Sequence, residues 1–215
     1  MWRALILMAM ILPGPVQAGP WLRAEGEGFV SYSIMLVDAG SSDVSDGYAT
    51  LYGEYGAAPN LSLGVDLGTD GDGFYSGFVF ALLPLSRERI KVALELGAGV
   101  IDGAGAMRPG LSLGTGFTAM GRPGWASLDA RSEIMARNGN AALSADLTLG
   151  IKPRPGTKVI LQLQQGGPMH DPDYLRLAPS IVWEMKPGRH LEIGATAGLK
   201  NAEDYGIKLG FWHSF

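Results

Sequence analysis

Three histidines are the first place to look for chemistry in this chain of 215 residues. A histidine and a serine two positions apart on a β-strand share a face, which lets the imidazole deprotonate the hydroxyl. His170, His190 and His213 all lack a serine at that spacing, and Ser214, beside His213, points to the opposite face. Asp70-Gly71-Asp72 and His170-Asp171-Pro172-Asp173 hold the remaining acid–base candidates, since a His/Asp pair can activate water. Aspartate, glycine and proline are also what turns are made of. That reading is preferred, so no catalytic residue is assigned. Cysteine is absent, no twelve-residue calcium loop occurs, and the glycine run 97–105 has no following helix to complete an anion site. Neither a metal nor a cofactor is expected.

The more informative charges come in rows. In WASLDARSEIMAR, Trp125, Ser127, Asp129, Arg131, Glu133 and Arg137 point one way, and Ala126, Leu128, Ala130, Ile134 and Ala136 the other. The same alternation singles out Asp66, Lys91, Glu95, Asp146, Lys158, Gln162, Gln164, Arg176, Glu184, Glu192, Lys200 and Lys208 as one-sided polar positions. Acids and bases are about balanced. Side chains of opposite sign on neighbouring strands can pair in an enclosed interior, where an isolated charge is costly.

Those rows sit in segments of period two, the signature of strands with one apolar face. Leu61, Leu63, Val65 and Leu67 oppose Ser62, Gly64, Asp66 and Gly68; Leu143, Ala145, Leu147 and Leu149 oppose Ser144, Asp146, Thr148 and Gly150. About twelve such segments follow one another: 27–37, 48–56, 60–68, 73–83, 90–100, 108–119, 125–136, 141–152, 157–165, 174–186, 190–200 and 205–215. Ten or fourteen remain possible, because 27–37 and 73–83 alternate poorly. Most are longer than the five or six residues usual in soluble sheets, and they match the ~9–11 residues of a tilted membrane-crossing strand.

Alternate connections differ in chemistry. One set is short and carries Arg87, Arg89, Arg122, Arg154 and Arg189; the other is acidic, with Asp38, Asp43, Asp46, Asp70, Asp72, Asp102, Asp171, Asp173 and Asp204. In an up-and-down meander these sets lie at opposite ends, which gives the molecule a polarity. The acidic end is expected to face outward. Before the strands, Met1–Arg3 is a short basic start, Ala4–Leu12 an apolar run, and Val16-Gln17-Ala18 a small-residue cleavage site. Residues 1–18 are expected to be a secretory signal cleaved after Ala18, and 19–215 the barrel.

A polar face of glycine, serine and alanine with scattered charges suits the inside of a narrow closed barrel better than a solvated exterior. The fold expected is therefore all-β, a closed up-and-down antiparallel transmembrane barrel. The formal charge of −4 argues against nucleic acid as a partner. Aromatics near strand ends (Tyr48, Phe74, Trp125, Tyr174, Trp183, Tyr205, Trp212, Phe215) suggest the girdles of such barrels. In the final strand Tyr205, Ile207, Leu209, Phe211 and Phe215 share the lipid face, with Lys208, Gly210 and Trp212 on the other. That segment resembles the carboxy-terminal assembly signal of bacterial outer-membrane β-barrel proteins, with His213 departing from the pattern. The resemblance implies a Gram-negative outer-membrane location, recognition by the barrel-assembly machinery, and contact with outer-membrane lipid and lipopolysaccharide. The hairpin YGEYGAAPNLSLGVD (Tyr52 to Asp66) is similar to one in outer-membrane transporters, including those of aromatic-degradation operons. The function expected is a narrow channel or transporter for small solutes. The alternatives are a structural barrel with a filled lumen and, third, a rim hydrolase of the omptin type.

Overall fold

A computed structural model describes residues 19–38, 46–168, 173–202 and 205–215. The expected signal segment lies outside the described residues, as do Asp43, His170, Asp171 and Asp204. Twelve strands follow in chain order: β1 Gly28–Asp38, β2 Asp46–Ala58, β3 Leu61–Thr69, β4 Tyr75–Arg87, β5 Lys91–Ile101, β6 Ala104–Ala119, β7 Arg122–Met135, β8 Ala141–Arg154, β9 Thr157–Pro168, β10 Tyr174–Lys186, β11 Arg189–Lys200 and β12 Tyr205–Ser214. Each pairs antiparallel with its sequence neighbours, and β1 pairs with β12 to close the barrel.

Closure explains why alternation runs to the last residue. The β1–β12 register extends from Asp38↔Tyr205 to Phe29↔Ser214. Beyond it, Gly28 N donates to Phe215 O at 2.7 Å and Phe215 N to Gly28 O at 3.0 Å. Removing both sheet edges satisfies the backbone groups that hydrocarbon cannot.

The two faces of the wall are inverted relative to a water-soluble protein. Large apolar residues lie on the outside, among them Leu63, Val79, Leu96, Leu147, Ile207 and Phe211. Glu54, Glu95, Arg108, Lys158, His190 and Glu192 are buried inside. Ordinary domains bury ion-forming side chains only when paired. An apolar exterior around a polar interior is the arrangement that lipid selects.

Several strand ends shift, and two strands show why. The stretch 101–107, expected to be a loop, is mostly strand, because the β5–β6 connection is only Asp102-Gly103, with φ of 48° and 76°. Positive φ at both central positions is the geometry of a tight type I′ hairpin, for which Asp-Gly is suited. Strand β6 thus reaches back to Ala104 and carries Arg108 well inside the wall. Strand β4 alternates poorly because both its faces are apolar: Val79 and Leu85 point out, while Phe78, Phe80 and Leu82 are buried inside.

Ahead of β1, residues 19–27 turn into the barrel from the end where β1 begins and β12 finishes. Gly26 N donates to Gly56 O and Gly56 N to Glu27 O, both at 2.9 Å. Pro20 and Trp21 then lie across β6 at Gly114, where a Cβ would come within 2.7 Å of the proline ring. Only glycine leaves that seat open.

Candidate solute path and its constriction

The lumen has a packed side and an open side. On the packed side Arg108, from β6, donates Nε to Glu95 Oε1 at 2.7 Å and NH1 to Asp66 Oδ2 at 2.8 Å. Arg131 Nε reaches the second Glu95 oxygen at 3.0 Å. Glu95 is 1% exposed, so its charge depends on these two guanidiniums. The Arg108 guanidinium also lies 4.5 Å from the Phe78 ring centroid and 5.4 Å from that of Phe80, which accounts for aromatics on the inner face of β4. Glu133 is half-buried two residues beyond Arg131 on the same row.

On the open side two cavities adjoin. One of about 240 Å³ is lined by Gly19, Trp125, Asp129, Asp146, Lys208 and Trp212 among others. The second, about 470 Å³, runs toward the long-loop end past Tyr48, Gln164, Tyr174 and Arg176. Asp146, Gln162, Glu192 and Lys208 line both. Hydrogen bonds hold Gln162, Glu192 and Lys208 against the wall. Gln162 Nε2 donates to Thr148 Oγ1 at 3.0 Å and Gln164 Nε2 to Gln162 Oε1 at 3.4 Å. Lys208 Nζ lies 3.1 Å from Glu192 Oε2, which also accepts from Trp212 Nε1 at 3.1 Å. Arg176 sits 5.5 Å from the Tyr174 ring.

The amino-terminal segment floors this space. Arg23 N donates to Ser62 Oγ at 3.0 Å, and its Nε to Glu54 Oε2 at 2.7 Å. The Glu54 side chain is fully buried and also accepts from the Tyr52 hydroxyl. The Arg23 guanidinium stacks 4.6 Å from the Phe29 centroid. Trp21 packs with Trp125, Ile160, Val182 and Trp212. Together these contacts hold Trp21 and Arg23 inside the wall.

Two residues expected among the lumen set lie instead at the end where β1 begins and β12 finishes. Lys91 donates to the Arg87 carbonyl, and exposed Glu184 accepts from Gly188 N at 3.2 Å. Four aromatics read as girdle residues are inside: Trp125 is buried, and Tyr48, Tyr174 and Trp212 line the cavities. Outward aromatics are Tyr32, Tyr55, Phe74, Tyr75, Phe117, Tyr205, Phe211 and Phe215. The final-strand residues Tyr205, Ile207, Leu209, Phe211 and Phe215 all face outward. Asp70 caps its own turn, its Oδ1 accepting from Asp72 N at 2.9 Å and Phe74 N at 3.0 Å. Among the described residues, no group of three or more His, Cys, Asp or Glu could hold a metal.

Arg23, Glu54, Tyr52, Trp21 and Arg108 were not singled out in the sequence. Arg108 carried a usable signal, since it continues the even-numbered face of Ser112 and Gly114.

No protein-family model matches the chain, and no curated protein matches it in sequence. Solved structures do. The KdgM porin superposes with a TM-score of 0.67 at 10% identity, over 87% of this chain and 99% of that one. An outer membrane channel from Pseudomonas putida F1 gives 0.64 at 11%, over 94% and 99%. The NanC porin gives 0.63 at 9%, over 86% and 98%. Likeness at such low identity is a likeness of fold. The chain is a closed twelve-stranded barrel with the fold of bacterial outer-membrane porins.

Proposed function

We propose that the protein is a narrow channel for small polar solutes, integral to the bacterial outer membrane, with residues 19–27 forming its constriction. The observation that carries this reading is the pair of adjoining cavities sharing Asp146, Gln162, Glu192 and Lys208. Carboxylates, an ammonium, a guanidinium and amides line one route, so small solutes of either charge can exchange hydration for wall contacts. KdgM has been seen in complex with disordered oligogalacturonate. Asp129 and Asp146 on this route disfavour so anionic a chain here. The end where β1 begins and β12 finishes is assigned to the periplasm, with the outward row from Tyr205 to Phe215 as the recognition element for barrel assembly. The acidic end then meets lipopolysaccharide. With Asp70 engaged in its turn, no hydrolytic role is assigned.

Purified protein in planar bilayers tests the channel. Discrete current steps that scale with salt are expected, enlarged by Trp21→Ala. Silence from correctly inserted barrels would overturn the reading. It would favour a structural barrel, for which the tightly packed Glu95–Arg108–Phe78 side is the supporting observation.

A further inference from the structure

Asp129 and Asp146 are register partners across β7 and β8, on the lumen face and lining the same cavity. Like charges directly opposite one another destabilise a sheet unless a cation joins them. Arg131 and Lys208 lie near enough to attract these carboxylates, but their close contacts are to others: Arg131 Nε donates to Glu95, and Lys208 pairs with Glu192. Asp129 Oδ2 accepts from Ser127 Oγ at 3.2 Å. Its Oδ1 is buried and accepts no hydrogen bond from the described residues. A buried carboxylate oxygen without a donor is expensive. Among the described residues neither aspartate forms a salt bridge.

The chain segment seated against that oxygen is the start of the described chain. Gly19 is buried in the lumen, and a Cβ on it would lie 2.9 Å from Asp129 Oδ1 and 3.3 Å from Oδ2. Its φ of +91° also favours glycine. The cleavage expected from the sequence falls between Ala18 and Gly19. Hydrolysis of that peptide bond turns an uncharged amide nitrogen into an ammonium, a cation with three donors, on the residue that touches the orphaned oxygen.

We propose that the α-ammonium of Gly19, created when the signal is removed, is the missing cation: it pairs with Asp129 and Asp146 and locks residues 19–23 across the lumen. The lock is thus unavailable to an unprocessed chain. It rests on cleavage after Ala18 and not on whether the lumen conducts. It also gives a reason for Gly-Pro immediately after the expected cleavage site. Glycine fits the contact, and the rigid Pro20 ring sets the direction toward Trp21.

The test uses the mature barrel purified from outer membranes. Intact mass identifies the first residue. A small water-soluble amine-acetylating reagent is then applied to folded and heat-unfolded protein, and the amino-terminal peptide is quantified. A carboxylate that holds the proton on an amine by one pKa unit lowers its reactive fraction about tenfold. Gly19 should therefore acetylate about tenfold or more slowly in the folded barrel than in the unfolded chain. Asp129→Asn should recover most of that factor while heat-modifiable migration persists. Inserting Asn-Gln between Ala18 and Gly19, which adds no new small-residue cleavage site, displaces the ammonium while leaving every wall residue in place, and should do the same once intact mass shows that the chain begins at the inserted Asn. A mature chain beginning elsewhere overturns the proposal, as does a folded wild-type amine that reacts at the unfolded rate. So does protection that survives both variants. If Asp129→Asn does not fold, the wild-type rate and the insertion decide. A silent bilayer recording leaves this labelling result intact, so the two readings fail separately.

Discussion

Arg23→Ala separates the constriction from the wall. In the native barrel Arg23 neutralises Glu54, whose side chain is fully buried, across a 2.7 Å contact. Removing one partner of such a pair costs about 3–5 kcal/mol, because the other charge stays buried and unpaired. Loss of the stacking on Phe29, at 4.6 Å, adds about 0.5–1 kcal/mol. Both costs fall on the seated state. Once the segment leaves, Glu54 meets water and recovers its hydration. At about 1.4 kcal/mol per factor of ten, the seated-to-open ratio falls by roughly two to four powers of ten. The barrel itself keeps its twelve ladders. Single-channel recording should therefore show larger and noisier currents at unchanged resistance to urea. Replacing both partners, Arg23→Met with Glu54→Met, removes the buried charges together and should return the quiet state. Wild-type conductance and noise in Arg23→Ala would refute the constriction.

Three other perturbations have expected outcomes. Arg108→Ala leaves Glu95 with Arg131 alone and Asp66 without its 2.8 Å partner, so urea unfolding in lipid vesicles should show a loss of about 3–5 kcal/mol. Leu147→Arg places a cation on the outer face of β8, where urea unfolding should report a loss of about 2–4 kcal/mol if the site is near mid-bilayer, whereas Thr148→Ser on the inner face should be nearly silent. Phe215→Ala keeps both backbone bonds to Gly28, so refolded protein should match wild type in urea while the amount assembled in cells falls several-fold.

The wall was legible in the sequence for a specific reason. Lipid and lumen impose opposite chemistry on successive residues, so Leu63 against Ser62 and Leu147 against Thr148 report their faces locally. Closure was readable from the alternation of Tyr205, Ile207, Leu209 and Phe211, since a strand with a lipid-facing row needs a partner on both edges. The short Asp102-Gly103 turn was missed because IDGAGAM has small residues on both faces, and small residues carry no pattern. That error hid the position of Arg108. β4 was obscured because Phe78 and Phe80 face a guanidinium, an environment that rewards aromatics inside a barrel and mimics an all-apolar strand. Arg23 and Trp21 lie in a stretch with no periodicity, and their partners Glu54 and Trp125 are far along the chain. Nothing local announces such contacts.

Everything else depends on which face meets lipid. Nitroxide labels at Leu63, Leu94 and Leu147, and in turn at Ser62, Ala93 and Thr148, measured in native membranes against oxygen and a water-soluble nickel complex, compare the two faces directly. The leucine sites should collide with oxygen and be shielded from nickel. The inner sites should show no such preference for oxygen. Leucine labels that contact the aqueous reagent, or that are immobilised in a protein core and reached by neither, would contradict a lipid-embedded barrel and the channel built on it.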